Sequence, residues 1–186
     1  MTVLRERFTH PGAPGLEARN PFTVDGDMVT MELTGGHVTT IDLADLPLVG
    51  QYRWYRRSKG YAGATLRRDG GKKTIHLHRV VLGLTDLDVF ADHTNGDKLD
   101  NRRSNLRACS CQENSWNQRG VSAKSSGYKG VFLRKDTGKY RVLIRVSGRA
   151  MNLGCYTTPE AAARVYDAAA LEHFGKFARL NFPTTD

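Results

Sequence analysis

Apolar and polar residues alternate with a period of two along much of the first half of the chain, the spacing of half-buried strands. Residues 28–33 and 37–43 carry this alternation on either side of Gly35-Gly36, which predicts an antiparallel hairpin. Residues 52–57 and 61–68 read as strands joined by a turn at 58–60, and Asp69-Gly70-Gly71 turns the chain into another over 72–78. Residues 46–51 are ambiguous, with one helical turn as the reading, and 79–84 predict a short buried helix. A strand over 89–93 leads into a polar loop containing Gly96, and a short strand over 105–109 returns. Ser110-Cys111-Gln112-Glu113 has the form of a capping box, which opens a helix over about 111–118. Alternation resumes over 128–134, 140–146 and 149–156, with turns at 136–138 and 147–148. Thr158-Pro159 then caps an alanine-rich helix running to 174, where Gly175 is the expected left-handed terminator.

These elements predict an α+β chain in separate pieces. A β-rich module spans 22–83, a strand–loop–strand–helix unit 84–119, and a three-stranded antiparallel sheet packed on one helix 127–184. Residues 1–21, with Pro11, Pro14 and Pro21 and no periodicity, read as a flexible tail, and GVSAKSS at 120–126 as a linker.

Charge narrows the function. The 186 residues carry a net charge of +9, which invites a polyanion. The excess is uneven: 17 Lys and Arg against 14 Asp and Glu in residues 1–119, but 11 against 5 in 120–186. The shorter C-terminal part therefore has an anion-binding task of its own. No apolar run approaches a membrane span and no signal-like segment opens the chain, so a membrane partner is not expected. On the first module Arg53, Arg56, Arg57, Arg67, Arg68, Lys72 and Lys73 suit either solvated strand edges or phosphate contact. Cys109, Cys111 and Cys155 have no framework spacing, which favours a reducing, cytoplasmic setting with free thiols over a disulfide or a zinc site.

The segment from Asp92 to Asn117, DHTNGDKLDNRRSNLRACSCQENSWN, concentrates chemistry. His93 has the proton affinity to take a proton from water near neutral pH. Asp92 is a hard anionic ligand for Mg²⁺ or a similar ion such as Mn²⁺, and Asn114 offers a neutral amide oxygen as a second ligand. Neighbouring strand residues face opposite ways, so the strand must bend or end at Asp92-His93. His76 and His78, just upstream, suit a structural or phosphate-contact role, while His10, His37 and His173 belong to no constellation.

Asp92-His93-Thr94-Asn95-Gly96-Asp97, Asp100-Asn101-Arg102, Asn105-Leu106-Arg107, Glu113-Asn114 and Asn117 together resemble the HNH nucleases of the ββα-metal class, in their homing-endonuclease branch. The resemblance implies that His93 is the general base, that Asp92 and Asn114 hold one divalent metal, and that Asn105 braces the loop through backbone hydrogen bonds.

In the second half, Arg141, Leu143 and Arg145 fall on one strand face and Val142, Ile144 and Val146 on the other. The face opposite the helix would then carry Arg134, Lys139, Arg141, Arg145 and Arg149, and a basic sheet of this width can enter a major groove. Gly127-Tyr128-Lys129-Gly130-Val131, Thr158-Pro159-Glu160-Ala161-Ala162-Ala163, Tyr166-Asp167-Ala168-Ala169 and Leu180-Asn181-Phe182-Pro183 resemble the APETALA2/ethylene-response DNA-binding domain. That resemblance covers 127–183 and adds Lys129 and Asn152 to the expected DNA contacts. Phe132 and Leu143 depart from the family's base-contacting and acidic residues, so its sequence preference does not transfer. The reading favoured is a monomeric, metal-dependent homing-type endonuclease acting on double-stranded DNA. The alternative is a DNA-binding transcriptional regulator with a decayed nuclease core. An RNA-binding module would need interleaved stacking aromatics, which the chain lacks.

Overall fold

A computed structural model describes residues 8–10, 13–68, 71–118 and 126–183, most of the expected linker falling outside them. The chain is α+β, and it divides into two compact units, residues 1–110 and 111–186.

The first unit begins with β1 (Phe8–His10) and β2 (Ala13–Ala18), an antiparallel pair, in a segment expected to be a flexible tail. Composition had argued for disorder there, but tertiary partners override it. Arg19 N–H donates to the Gly50 carbonyl at 2.9 Å. The buried Asn20 amide donates to the Glu32 and Trp54 carbonyls at 2.7 and 3.0 Å and accepts the Trp54 N–H at 2.8 Å. Gly50 permits this approach, since a Cβ there would lie 2.5 Å from the Glu17 carbonyl oxygen.

A sheet of β3 (Phe22–Asp25), β4 (Met28–Leu33) and β5 (His37–Asp42) follows, with β4 in the middle. Its alternation is physical: Val29, Met31 and Leu33 of β4 are buried while Glu32 between them is exposed. After α1 (Leu46–Val49), a second sheet comprises β6 (Tyr55–Arg56), β7 (Ala62–Arg68) and β8 (Gly71–His76). β6 is shorter than its sequence suggests because Trp54 leaves the ladder. Its indole is fully buried and donates to the Val49 carbonyl at 2.9 Å, while Asn20 takes its backbone N–H. α2 (Leu77–Val81) begins two residues earlier than expected and buries Leu77 and Val81 in the same core. β9 (Phe90–His93) and β10 (Leu106–Cys109) form a hairpin anchored there by Leu106. Each such fully buried aliphatic contributes about 1.5–3 kcal/mol.

The second unit opens with α3 (Cys111–Trp116), then an antiparallel sheet of β11 (Val131–Leu133), β12 (Tyr140–Val146) and β13 (Arg149–Tyr156). α4 (Pro159–Phe174) covers one face of that sheet. Val131, Val142 and Ile144 pack against Ala162, Ala163, Tyr166 and Ala170 of α4, whose small residues allow close approach. Thr158 caps α4, its Oγ1 accepting from Ala161 N–H at 3.3 Å. Gly175 has φ 51° but ψ −131°, so it is not the left-handed terminator expected. The chain tightens instead into a 3-10 turn that buries Phe177. α3 packs on this unit: the Trp116 ring stacks on Phe174 with centroids 4.6 Å apart. Asp167 and Asn181 tie the C-terminal segment down, Asp167 accepting from the Asn181 and Phe182 N–H groups and Asn181 from Lys129 N–H.

Gly130 is the tightest point of this packing. It has φ +77°, and a Cβ would fall 1.9 Å from the Tyr166 ring. Strain and overpacking both oppose a side chain there, so Gly130→Ala should lower unfolding stability by about 2–4 kcal/mol. A urea midpoint equal to the wild type would contradict this packing.

Candidate active site and nucleic-acid interface

β9 and β10 set the site by register: Arg107 lies opposite Asp92, and Leu106 opposite His93. The strand ends at His93, where Thr94 N–H donates to the Asn105 carbonyl and Gly96 N–H to the His93 carbonyl, both at 2.9 Å. Both residues of the pair are buried, at 6% and 4% exposure, yet they meet different neighbours. Asp92 Oδ2 accepts from Arg107 Nε at 2.9 Å and Nη2 at 2.6 Å. His93 Nε2 lies 3.2 Å from Asn101 Oδ1.

The loop between the strands is cross-braced. Asn105 Oδ1 accepts from Thr94 Oγ1 at 2.8 Å and from Asn95 N–H at 2.9 Å, and its Nδ2 donates to the Asp100 carbonyl at 2.8 Å. Asp100 accepts Arg102 Nε and Nη2, both at 2.8 Å, and the Asn95 amide at 3.0 Å. Those Arg102 hydrogen bonds hold the Asp100 carboxyl below the usual aspartate range. Thr40 of β5 bridges to Asp100, and Arg103 pairs with buried Asp45, so the β module grips the loop from below.

Around His93 stand three more rings. His78 is 5.2 Å away by centroid, Tyr61 5.9 Å, and His76 stacks on His78 at 5.4 Å. Burial lowers the His93 proton affinity, although the Asn101 hydrogen bond and the Asp92, Asp97 and Asp100 charges oppose it. His93 is therefore neutral at pH 7, the form that accepts a proton. His78 falls to about 3, mainly from burial and then from His93, His76 and Arg79. The Nδ1 atoms of His76 and His78 are buried without a hydrogen-bond partner. Burial, followed by the Asp92 charge, raises the Tyr61 phenol.

Asn101, Thr39 and Tyr61 carry no local sequence signal of a role at the site. Asn101 stood in the quoted motif, but nothing local linked it to a strand sixty residues upstream. Asn114 lies on α3, half-buried, in the second unit. No group of three or more His, Cys, Asp or Glu side chains converges as a metal site among the described residues. Asp92 alone, as a buried carboxylate, has the hard anionic oxygen that suits an ion keeping most of its waters. Cys109, Cys111 and Cys155 are not joined in disulfides. No helix among the described residues is long and apolar enough to cross a membrane.

On the second unit, exposed Arg141 and Arg145 alternate with buried Val142 and Ile144, and therefore lie on the sheet face away from α4. Asn152, opposite Leu143, joins them across a bulge at Val142/Leu143. Arg134 is exposed and paired with Asp136, and Lys139 is exposed in the adjoining turn. Two expected members fall elsewhere. Arg149 pairs with Val146, in the row of Val142 and Ile144, so register puts it on the helix side. Lys129 is half-buried with its ammonium on the Trp116 carbonyl, and burial lowers it to about 8. Phe132, 39% exposed, stands opposite Arg141 on the open face.

No family model matches the chain. An uncharacterised HNH endonuclease of Acanthamoeba polyphaga mimivirus is 33% identical over 150 residues, covering 78% of this chain and 75% of that protein. The chain belongs to the HNH endonuclease family. A second likeness is partial: the Arabidopsis thaliana ethylene-responsive transcription factor ERF010 is 46% identical over 66 residues, 34% of this chain. The chain spans only 35% of that factor's length. A solved structure of the HNH homing endonuclease I-HmuI matches over 78% of this chain and 84% of its own, at 20% identity and a TM-score of 0.34. The family assignment rests on the mimivirus relative. Members of the HNH family generally use a divalent metal.

The ring cluster makes this HNH protein acid-sensitive. His78 takes up its proton at an ordinary 6.5 when unfolded but only at about 3 when folded. Between those values the unfolded chain binds the extra proton, so stability present above pH 6.5 is lost as pH falls toward 3. A folded His78→Gln variant should show a flatter decline of Tm with falling pH. Parallel Tm–pH curves for variant and wild type would refute this.

Proposed function

We propose that this HNH-family chain is a homing-type endonuclease that hydrolyses phosphodiesters of double-stranded DNA. The observation that carries the reading is the buried Asp92-His93 pair at the end of β9, held by an Asn105-braced loop. His93 takes the proton of a water molecule as that water adds to phosphorus. The bond to the 3′ oxygen breaks, and that oxygen takes a proton from solvent water, leaving 5′-phosphate and 3′-hydroxyl ends. Burial supports the base role, because it keeps the imidazole neutral and able to accept. Asp92 and Asn114 are the residues proposed to hold one Mg²⁺, or Mn²⁺, on the strength of their oxygen chemistry and motif positions. When bound, the ion supplies positive charge for the leaving oxygen. Arg107 pairs with the same Asp92 carboxylate.

We assign DNA binding to the open face of the second unit's sheet, through Arg134, Lys139, Arg141, Arg145 and Asn152. The partial likeness to ethylene-responsive factors and the exposed basic row support this. A single nuclease motif suits a monomer that makes one cut per visit. The three proposed pieces are the β module (22–83), the nuclease core (84–119) and the DNA-reading domain (127–184).

With supercoiled plasmids and Mg²⁺, the wild type should produce nicked circles, and chelation should stop it. His93→Ala should slow nicking by about 10²- to 10⁴-fold while leaving DNA binding intact. No nicking by the wild type, across several metals and target DNAs, would remove the enzyme reading in favour of a DNA-binding regulator. For the sheet, Arg145→Ala should weaken binding and reduce the slope of log K against log salt by about 0.9. An unchanged slope would place Arg145 away from phosphate.

A further inference from the structure

His93 is not simply buried; its proton is placed by a chain of hydrogen bonds whose direction is fixed. Thr39 Oγ1 lies 2.6 Å from the Leu99 carbonyl, which can only accept, so the hydroxyl must donate there. The same Oγ1 lies 2.8 Å from the Asn101 amide and, its proton already committed, must accept. That contact is therefore Asn101 Nδ2–H donating to Thr39. The other end of the amide, Oδ1, then faces His93 Nε2 at 3.2 Å. An oxygen acceptor there requires the proton to sit on Nε2, and the imidazole lone pair is left on Nδ1.

The relay is well placed to hold that arrangement. Asn101 is fully buried and Thr39 is 1% exposed, so water does not compete for either. The Asn101 backbone is fixed as well, its N–H donating to the Thr40 carbonyl at 2.8 Å. Turning the amide over would set two acceptors, Asn101 Oδ1 and Thr39 Oγ1, against each other. Thr39 comes from β5, so a strand far upstream in sequence bears on the imidazole.

We propose that Asn101 and Thr39 are positioning residues that hold His93 in its Nε2–H tautomer, making Nδ1 the atom that receives the proton. The proposal rests on His93 being the base. Neither residue touches substrate; both act through the imidazole.

The test separates tautomer from turnover. Nitrogen-15 NMR of histidine-labelled full-length protein reads the tautomer directly, and plasmid nicking gives kcat and KM. Wild-type His93 should be the Nε2–H form. Asn101→Leu, which removes the acceptor, should mix the tautomers and lower kcat about 10- to 100-fold with KM unchanged. Thr39→Val keeps the β-branched shape of a strand residue, so it should fold even if Asn101→Leu does not. It frees the amide to turn and should shift the tautomer in the same direction by less. Asn101→Asp restores an acceptor and should recover the Nε2–H form and most of kcat. A wild-type Nδ1–H form, or wild-type tautomer and kcat in the folded Thr39→Val and Asn101→Leu proteins, would overturn the proposal. Nicking by His93→Ala at the wild-type rate would instead overturn the base reading, whatever the NMR gives.

Discussion

A loop that carries a buried acid and a buried imidazole must satisfy its own polar groups, and Asn105 is where that requirement is met. Its carbonyl, amide oxygen and amide nitrogen reach Thr94, Asn95 and Asp100, so both ends of the loop close on one residue. Unpaired polar groups at such depth are expensive, and a set satisfied together is correspondingly rigid. The strand end at His93 follows from it. The separation of Asp92 toward Arg107 from His93 toward the ring cluster comes from the alternation of β9 itself.

The β-rich module is the other half of this constraint. Thr39 and Thr40 sit side by side on β5 and face opposite ways, as strand residues must. One reaches Asn101 and the other Asp100. Alternation that reads as ordinary strand patterning therefore delivers two hydroxyls to two successive loop residues. Asp42 and Asp45 continue the line, accepting from Arg103 as the chain leaves the loop.

What could be read from the sequence was local. Met28–Leu33, the Asp92–His93 strand end and the Thr158 cap each depend on neighbours a few residues away, and their signals sit in the chain itself. What could not be read was long-range. Nothing near Pro11 or Pro14 announces that Asn20 will close on Trp54, and Asn101 carries no mark of Thr39. Register explains the remaining differences. Arg149 looks like one more member of a basic face until its pairing with Val146 across the tight turn is known. Lys129 looks like a surface cation, but the carbonyl at the end of α3 has claimed it.

Trp116 has a practical meaning for anyone exchanging modules between such proteins. The indole stacks on Phe174 and belongs to the core of the second unit, although its residue lies upstream of the segment with transcription-factor likeness. A chimera joined within 120–126 would import the sheet and α4 but leave behind the aromatic lid over Phe174 and the carbonyl that holds Lys129. The transferable cassette starts at Cys111, and it carries Asn114 with it.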